Sequence, residues 1–191
     1  MINLVLFGPP GAGKGTQAEK IKERYNMLHV STGDVIRGQI AKGTPLGEQA
    51  KEQMASGGLV SDNLVIGLMK DYLAANSGEQ GTIFDGFPRT TEQAQEFDKM
   101  LSELDKNVTV MIALEADEEE LVKRLLLRGV DSGRADDMSE EIIRNRIKVY
   151  NAQTAIVSDY YQQQGKYVAV NGVGTIDEIF GRICQVLDKY V

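Results

Sequence analysis

The sequence predicts an α/β domain in which a five-stranded parallel sheet is packed by helices on both faces. Two observations carry that expectation. Short apolar runs alternate with stretches of helical period, and parallel strands need such crossover helices. The run at residues 108–114 is apolar enough to be a strand buried on both faces. A third observation marks the end of the sheet where a ligand would sit. Residues 2–7 lead straight into Gly8-Pro9-Pro10-Gly11-Ala12-Gly13-Lys14-Gly15-Thr16, after which residues 17–24 take up helical period. Strand, glycine-rich turn and helix in that order form a phosphate-binding loop when the spacing is G-x-x-x-x-G-K. The glycines let successive backbone N–H groups face an anion, the helix start adds the positive end of its dipole, and Lys14 supplies a point charge. The Ser or Thr that usually follows the lysine and ligates Mg²⁺ is Gly15 here, and the hydroxyl comes one place later at Thr16. Mg²⁺ is therefore expected to arrive with the nucleotide, held mostly through water, with no protein ligand set of its own.

The remaining elements follow in order. A second strand is expected at residues 28–31, then Thr32-Gly33-Asp34 as the turn capping a helix over 35–42. Gly43-Thr44-Pro45 stops it, a helix over 46–56 ends at Gly57-Gly58, and Ser61-Asp62 caps another that runs to about residue 76. Three helices without a strand between them point to a helical insertion over 31–60. A third strand over 81–85 ends in an acid, and a helix over 90–104 leads to the buried strand. Asp117 to Glu120 read as a capping box for a helix reaching 128, and 129–137 as a polar loop. One long helix over 139–164, a fifth strand over 166–170 and a closing helix capped by Thr175-Ile176-Asp177-Glu178 complete the chain.

Composition narrows the function. With 191 residues, 42% hydrophobic and 26% charged, the chain suits one domain with a proper core. A net charge of −7 argues against a nucleic-acid or anionic-membrane surface, so positive charge for a phosphate ligand must be concentrated locally. Nothing at residues 2–7 has the basic flank or length of an export signal, so a cytoplasmic protein is expected, and no exposed apolar face argues against a monomer. The single cysteine, Cys184, excludes an internal disulfide and a cysteine-rich zinc site, and its apolar neighbours at helical spacing make it a buried thiol.

Asp85 closes its strand where a phosphate-loop protein keeps an acid near the metal, and behind such a loop that role outweighs a turn aspartate before Gly86. Gly86-Phe87-Pro88-Arg89 delivers an arginine to the same end of the sheet. Two roles are open to Gln93: a Thr90-x-x-Gln93 capping box for its own helix, or a ligand contact. Arg24, Arg144 and Arg182 read as solvated charges, and His29, within a strand, as structural. Arg37, Arg89, Arg128, Arg134 and Arg146 come from separate segments that all reach the strand ends, which is what bringing two anionic substrates together demands.

In these stretches the chain resembles the adenylate kinases: residues 8–17, Ser31-Thr32-Gly33-Asp34-Val35-Ile36-Arg37, Gly58-Leu59-Val60, Asp85-Gly86-Phe87-Pro88-Arg89 and Ser132-Gly133-Arg134-Ala135-Asp136-Asp137 stand in that family's order and spacing. Gly15-Thr16 is the family's own form of the loop. The resemblance implies the P-loop NTPase fold and the short-lid subtype without zinc, with a core over 1–30, 61–126 and 138–191, an AMP-binding insertion over 31–60 and a lid over 127–137. It implies reversible transfer of a phosphoryl group from Mg·ATP to AMP, giving two ADP. Gly11, Ala12, Gly13, Lys14, Gly15, Thr16 and Arg128 would hold ATP, with Gly174 at its adenine. Thr32, Arg37, Gly58, Leu59, Val60, Gly86, Phe87, Pro88, Arg89 and Gln93 would hold AMP. Arg134 and Arg146 would lie across the transferring group on the AMP side. Lys14, Arg89, Arg128, Arg134 and Arg146 would be catalytic. The nearest rival is a UMP/CMP kinase, in which alanine commonly stands at the position of Thr32. A non-catalytic nucleotide switch is a rival of another class, but the chain has no guanine-reading Asn/Thr-Lys-x-Asp motif.

Overall fold

In a computed structural model, which describes residues 1–76 and 81–191, five parallel strands form one sheet in the order β2-β3-β1-β4-β5. The strands are β1 (Asn3–Phe7), β2 (Leu28–Ser31), β3 (Thr82–Asp85), β4 (Val110–Glu115) and β5 (Tyr167–Asn171). Central β1 is in register with both neighbours, Val5 lying opposite Phe84 of β3 and Met111 of β4. Side chains alternate, yet both faces are apolar. Leu4, Leu6, Ile83 and Ile112 enter one core, and Val5, Phe7, Phe84 and Met111 enter the other. This is the burial that a doubly covered sheet needs.

The helices are α1 (Lys14–Tyr25), α2 (Thr32–Ala41), α3 (Pro45–Ala55), α4 (Asp62–Ala75), α5 (Thr91–Ser102), α6 (Glu118–Ser132), α7 (Glu140–Val149), α8 (Val157–Gln163) and α9 (Ile176–Leu187). Helices α1, α6, α7 and α9 cover the first face, and α4, α5 and α8 the second, where α2 and α3 also add Ile36 and Ala50. Cys184 is buried on α9, and Thr175 with Glu178 forms the full capping box expected for that helix. No helix among the described residues is long and apolar enough to cross a membrane.

Five local expectations are corrected. Helix α1 begins at Lys14, not residue 17, because Gln17 N–H already donates to Gly13 O at 3.0 Å and the loop's last residues form the first turn. Helix α2 begins at Thr32, capped by Ser31, whose hydroxyl accepts from Asp34 N–H. Asp117 makes no side-chain cap. The acids after it serve arginines instead: Glu118 and Glu119 pair with Arg144, and Glu120 with Arg124. Ser61 likewise makes no side-chain cap for α4. The polar loop at 129–137 is mostly helical, since α6 continues to Ser132 before Gly133 ends it and Ala135–Asp137 forms a 3-10 turn.

The long helix over 139–164 is broken by a wide π turn at Tyr150–Thr154. The break has a packing cause. Ile143 and Ile147 of α7 belong to the first core, whereas Val157 and Tyr161 of α8 belong to the second. An unbroken helix keeps its apolar stripe on one side, and the wide turn rotates that stripe from one face of the sheet to the other.

Candidate active site

The loop after β1 lies at the C-terminal ends of the strands, where open α/β sheets place their ligands. Gly8 has φ +135°, and a Cβ built there would stand 2.5 Å from Leu114 O, so only glycine lets the loop lie this close to β4. Lys14 Nζ donates to Gly8 O at 2.7 Å and Pro9 O at 3.0 Å, folded back over the loop's own carbonyls. Burial lowers its pKa to about 8, and the nearby cations Arg89, Arg146 and Arg128 push the same way against Asp85. Gly15 and Thr16 remain exposed in the first turn of α1.

Asp85, 9% exposed at the end of β3, stands beside this loop, its Oδ2 3.9 Å from an ideal Cβ on Gly15. His29 Nε2 lies 3.7 Å from the same oxygen, and its Nδ1 is 3.0 Å from Glu19 Oε1. Burial alone lowers the His29 pKa, but the two carboxylates outweigh it and the net shift is upward. His29 thus stands between Asp85 and Glu19 of α1, bonded to the glutamate and only near the aspartate. No group of three or more His, Cys, Asp or Glu able to hold a metal exists among the described residues. The donor set near the loop fits a cation that brings its other ligands with it.

The cationic residues converge as the sequence suggested. Arg89 and Arg146 have lowered pKa values, burial being the largest cause and neighbouring arginines adding to it. Arg37 acts on Arg89, Arg134 and Arg146, and Arg128 acts on Lys14, Arg134 and Arg146. Acids inside the chain hold this cluster together. Asp137, with a side chain 0% exposed, accepts from Arg128 Nε at 2.7 Å and Nη2 at 3.1 Å, and also pairs with Arg146. Asp136 Oδ2 lies 3.1 Å from Arg146 Nη1. Asp34 pairs with Arg37 and accepts from Arg134 Nη2 at 3.2 Å, so it joins α2 to the turn after α6. Composition and spacing gave Asp34 a place in a capping turn and Asp136 and Asp137 a place in a polar loop, but not the pairing with arginines, because an acid beside an arginine reads as surface pairing until burial is known.

Beside the cations lies a chamber lined by Ile36, Met54, Val60, Val65 and Phe87, with Gln93 in its wall. Thr32, Arg37, Gly58, Leu59, Gly86, Pro88, Arg89 and Arg146 line it as well, and so does Lys14. Thr32 Oγ1 donates to Gly86 O at 2.8 Å, and Arg89 Nε donates to the same carbonyl at 2.7 Å. Gly86 has φ +79°, and a Cβ there would lie 2.9 Å from Arg89 Nη2 and 3.0 Å from Thr32 Oγ1. Gly86→Ala is expected to displace both side chains and to raise about tenfold the KM of any substrate received in the chamber, with a smaller change for a substrate bound outside it. Equal KM changes for both substrates in steady-state kinetics would contradict this role.

For Gln93 the full capping box is not formed. Thr90 Oγ1 does accept from Gln93 N–H at 3.2 Å, but the Gln93 side chain does not return to the cap. Its Oε1 accepts from Arg89 N–H and its Nε2 donates to Asp62.

Gly174 lies in the turn after β5, at φ +130°. Gly11, Ala12, Gly13 and Arg128, which the resemblance implies on the ATP side, lie along the loop and on α6 rather than in the chamber lining. Two arginines brace the Gly174 turn. Arg124 Nη1 donates to Gly172 O at 3.1 Å, while Arg182 Nη1 donates to Asn171 O at 2.8 Å and Val173 O at 2.7 Å. Arg182 is therefore no mere solvated charge. Arg24 is exposed and paired with Asp188, and Arg144 with three glutamates, as surface residues are. Gln17 Nε2 joins the loop helix to the same region, donating to Ile176 O at 3.0 Å.

Comparison with known proteins accords with this geometry. The family model described as adenylate kinase matches residues 6–166. The adenylate kinase of Bacteroides thetaiotaomicron is 49% identical over 189 residues, covering 99% of this chain and 100% of its own. That of Flavobacterium psychrophilum is 52% identical over 189 residues with the same coverage. The Leptospira biflexa protein of that name is 45% identical over 185 residues, 97% of this chain and 99% of its own.

Proposed function

The chain belongs to the adenylate kinase family, and from that premise we propose how its residues divide the reversible transfer of a phosphoryl group from Mg·ATP to AMP, giving two ADP. The observation that carries the division is that Lys14 and five arginines from separate elements lie close enough to act on one another, and that Lys14, Arg37, Arg89 and Arg146 among them line the chamber. The loop from Gly11 to Thr16 holds the phosphates of ATP, Arg128 braces them from α6, and the Gly174 turn, with Arg124 behind it, receives the adenine. The chamber is the AMP site. Thr32, Gly58, Leu59, Val60, Phe87, Pro88 and Gln93 surround the nucleoside, and Arg37 and Arg89 take its phosphate. Residues 31–60 and 127–137 act as the mobile insertion and lid around the core.

In the transfer, an oxygen of the AMP phosphate bonds to the terminal phosphorus of ATP as the bond from that phosphorus to its bridging oxygen breaks. The attacking oxygen is already ionised at neutral pH, so no general base is required. Lys14, Arg89, Arg128, Arg134 and Arg146 supply fixed positive charge where two anions must approach each other. Mg²⁺ enters as part of Mg·ATP, with Asp85 the carboxylate beside the loop.

The test is ADP production with Mg·ATP and AMP, UMP, CMP or GMP offered in turn. AMP-selective turnover is expected. Preference for UMP or CMP would move the acceptor assignment, and binding without transfer would sink the division of roles altogether.

The Lys14 pKa of about 8 gives a pH signature. Near pH 9 most of the ligand-free protein carries Lys14 neutral, and a bound phosphate restores its charge, so ATP binding takes up a proton. The sign reverses the usual release, because it is the folded protein's base that is depressed. Calorimetry of ATP binding in buffers of different ionisation enthalpy should show uptake near pH 9 that fades below about pH 7. Lys14→Met should show none.

A further inference from the structure

The Gln93 amide is fixed from both ends by groups that tolerate only one orientation. Gln93 is 1% exposed and lines the chamber. Its Oε1 accepts from Arg89 N–H at 2.8 Å, and its Nε2 donates to Asp62 Oδ1 at 2.7 Å. A backbone N–H can only donate and a carboxylate only accept, so turning the amide over would set like against like at both contacts. Asp62, the first residue of α4, does not itself line the chamber. Its second oxygen accepts from Thr90 Oγ1 at 3.0 Å, so the carboxylate is held in turn by the cap of α5.

An amide carries two N–H donors and two lone pairs, so one of each is left. In this orientation they complement the edge of a 6-aminopurine, whose ring N1 accepts and whose exocyclic amine donates. A 6-oxopurine offers the reverse pair, N1–H and a carbonyl, and is matched only by the amide turned over. We propose that Asp62 is a positioning residue that makes the chamber select 6-aminopurine over 6-oxopurine monophosphates by holding Gln93 in one orientation. The inference rests on the chamber being the AMP site.

The test compares kcat/KM for AMP and IMP, with Mg·ATP as donor, in the wild type and in Asp62→Asn. The asparagine can donate to a turned-over Gln93 as well as accept from the native one. The AMP to IMP ratio is expected to fall about tenfold or more. A ratio equal to that of the wild type overturns the proposal, since an Asp62 that only clamps α4 to α5 lowers both substrates together. Thr90→Ala, which removes that clamp and the α5 cap, should lower Tm and keep the wild-type ratio. If Asp62→Asn does not fold, the Gln93 side-chain amide protons of the wild type serve. Slow exchange in the free protein and a shift on adding AMP but not IMP are expected, and rapid exchange overturns the inference. Wild-type protein that AMP does not saturate refutes the acceptor assignment itself, before any variant is compared.

Discussion

Arg89→Ala is expected to lower kcat/KM for AMP by about 100-fold or more while KM for Mg·ATP stays within about twofold. The asymmetry follows from where Arg89 is held. Its Nε donates to Gly86 O, and its backbone N–H donates to Gln93 Oε1, so both its stem and its head belong to the chamber. A guanidinium held this way presents its remaining N–H groups with little further ordering to lose, which is where an arginine outperforms a mobile lysine. Steady-state kinetics with each substrate varied in turn decides the matter. Loss spread equally over both substrates would show that Arg89 supports the whole cleft and not the AMP side.

Asp137→Asn should have the largest effect on stability. The wild-type carboxylate is wholly buried and serves Arg128 and Arg146 together, and Arg128 is 37% exposed. Breaking a buried pair by removing one partner strands the other, but water reaches Arg128 and softens the loss to about 2–3 kcal/mol. For a chain of this size that corresponds to a fall in Tm of roughly 4–12 °C. Sulfate or phosphate should raise the Tm of the variant more than that of the wild type, because an anion binding between the stranded arginines favours the folded state. An unchanged Tm would mean that the arginines relax into solvent without needing their acid.

The fold was legible because its signals are local. The loop spacing, the apolar run of β4 and the turns at Gly43 and Gly57 each declare themselves within a few residues. Helix limits were less so. The π turn at Tyr150–Thr154 has no proline or glycine to announce it, and its cause is which face of the sheet α7 and α8 must cover. In the site, the arginines could be gathered because they come from separate segments able to reach the strand ends, which the order of strands and helices already shows. What holds them was not. Asp34 and Arg134 are 100 positions apart, and Asp62 and Gln93 are 31, so each pair exists only once the chain has folded. Gln93 shows the limit most clearly, for its capping pattern was real in the backbone and misleading in the side chain.

The carboxylate of Asp34, shared by Arg37 and Arg134, changes what substrate binding means for this molecule. Where these two arginines meet, the free protein already carries an anion of its own, so a phosphate arriving there would enter by ion exchange and not by simple addition. Such an exchanger ranks its ligands by charge density. A dianionic phosphate displaces a single carboxylate, whereas chloride or a monocarboxylate gains nothing by the trade. Tolerance to simple salts is the expected result, with a dependence on ionic strength shallower than the number of arginines suggests.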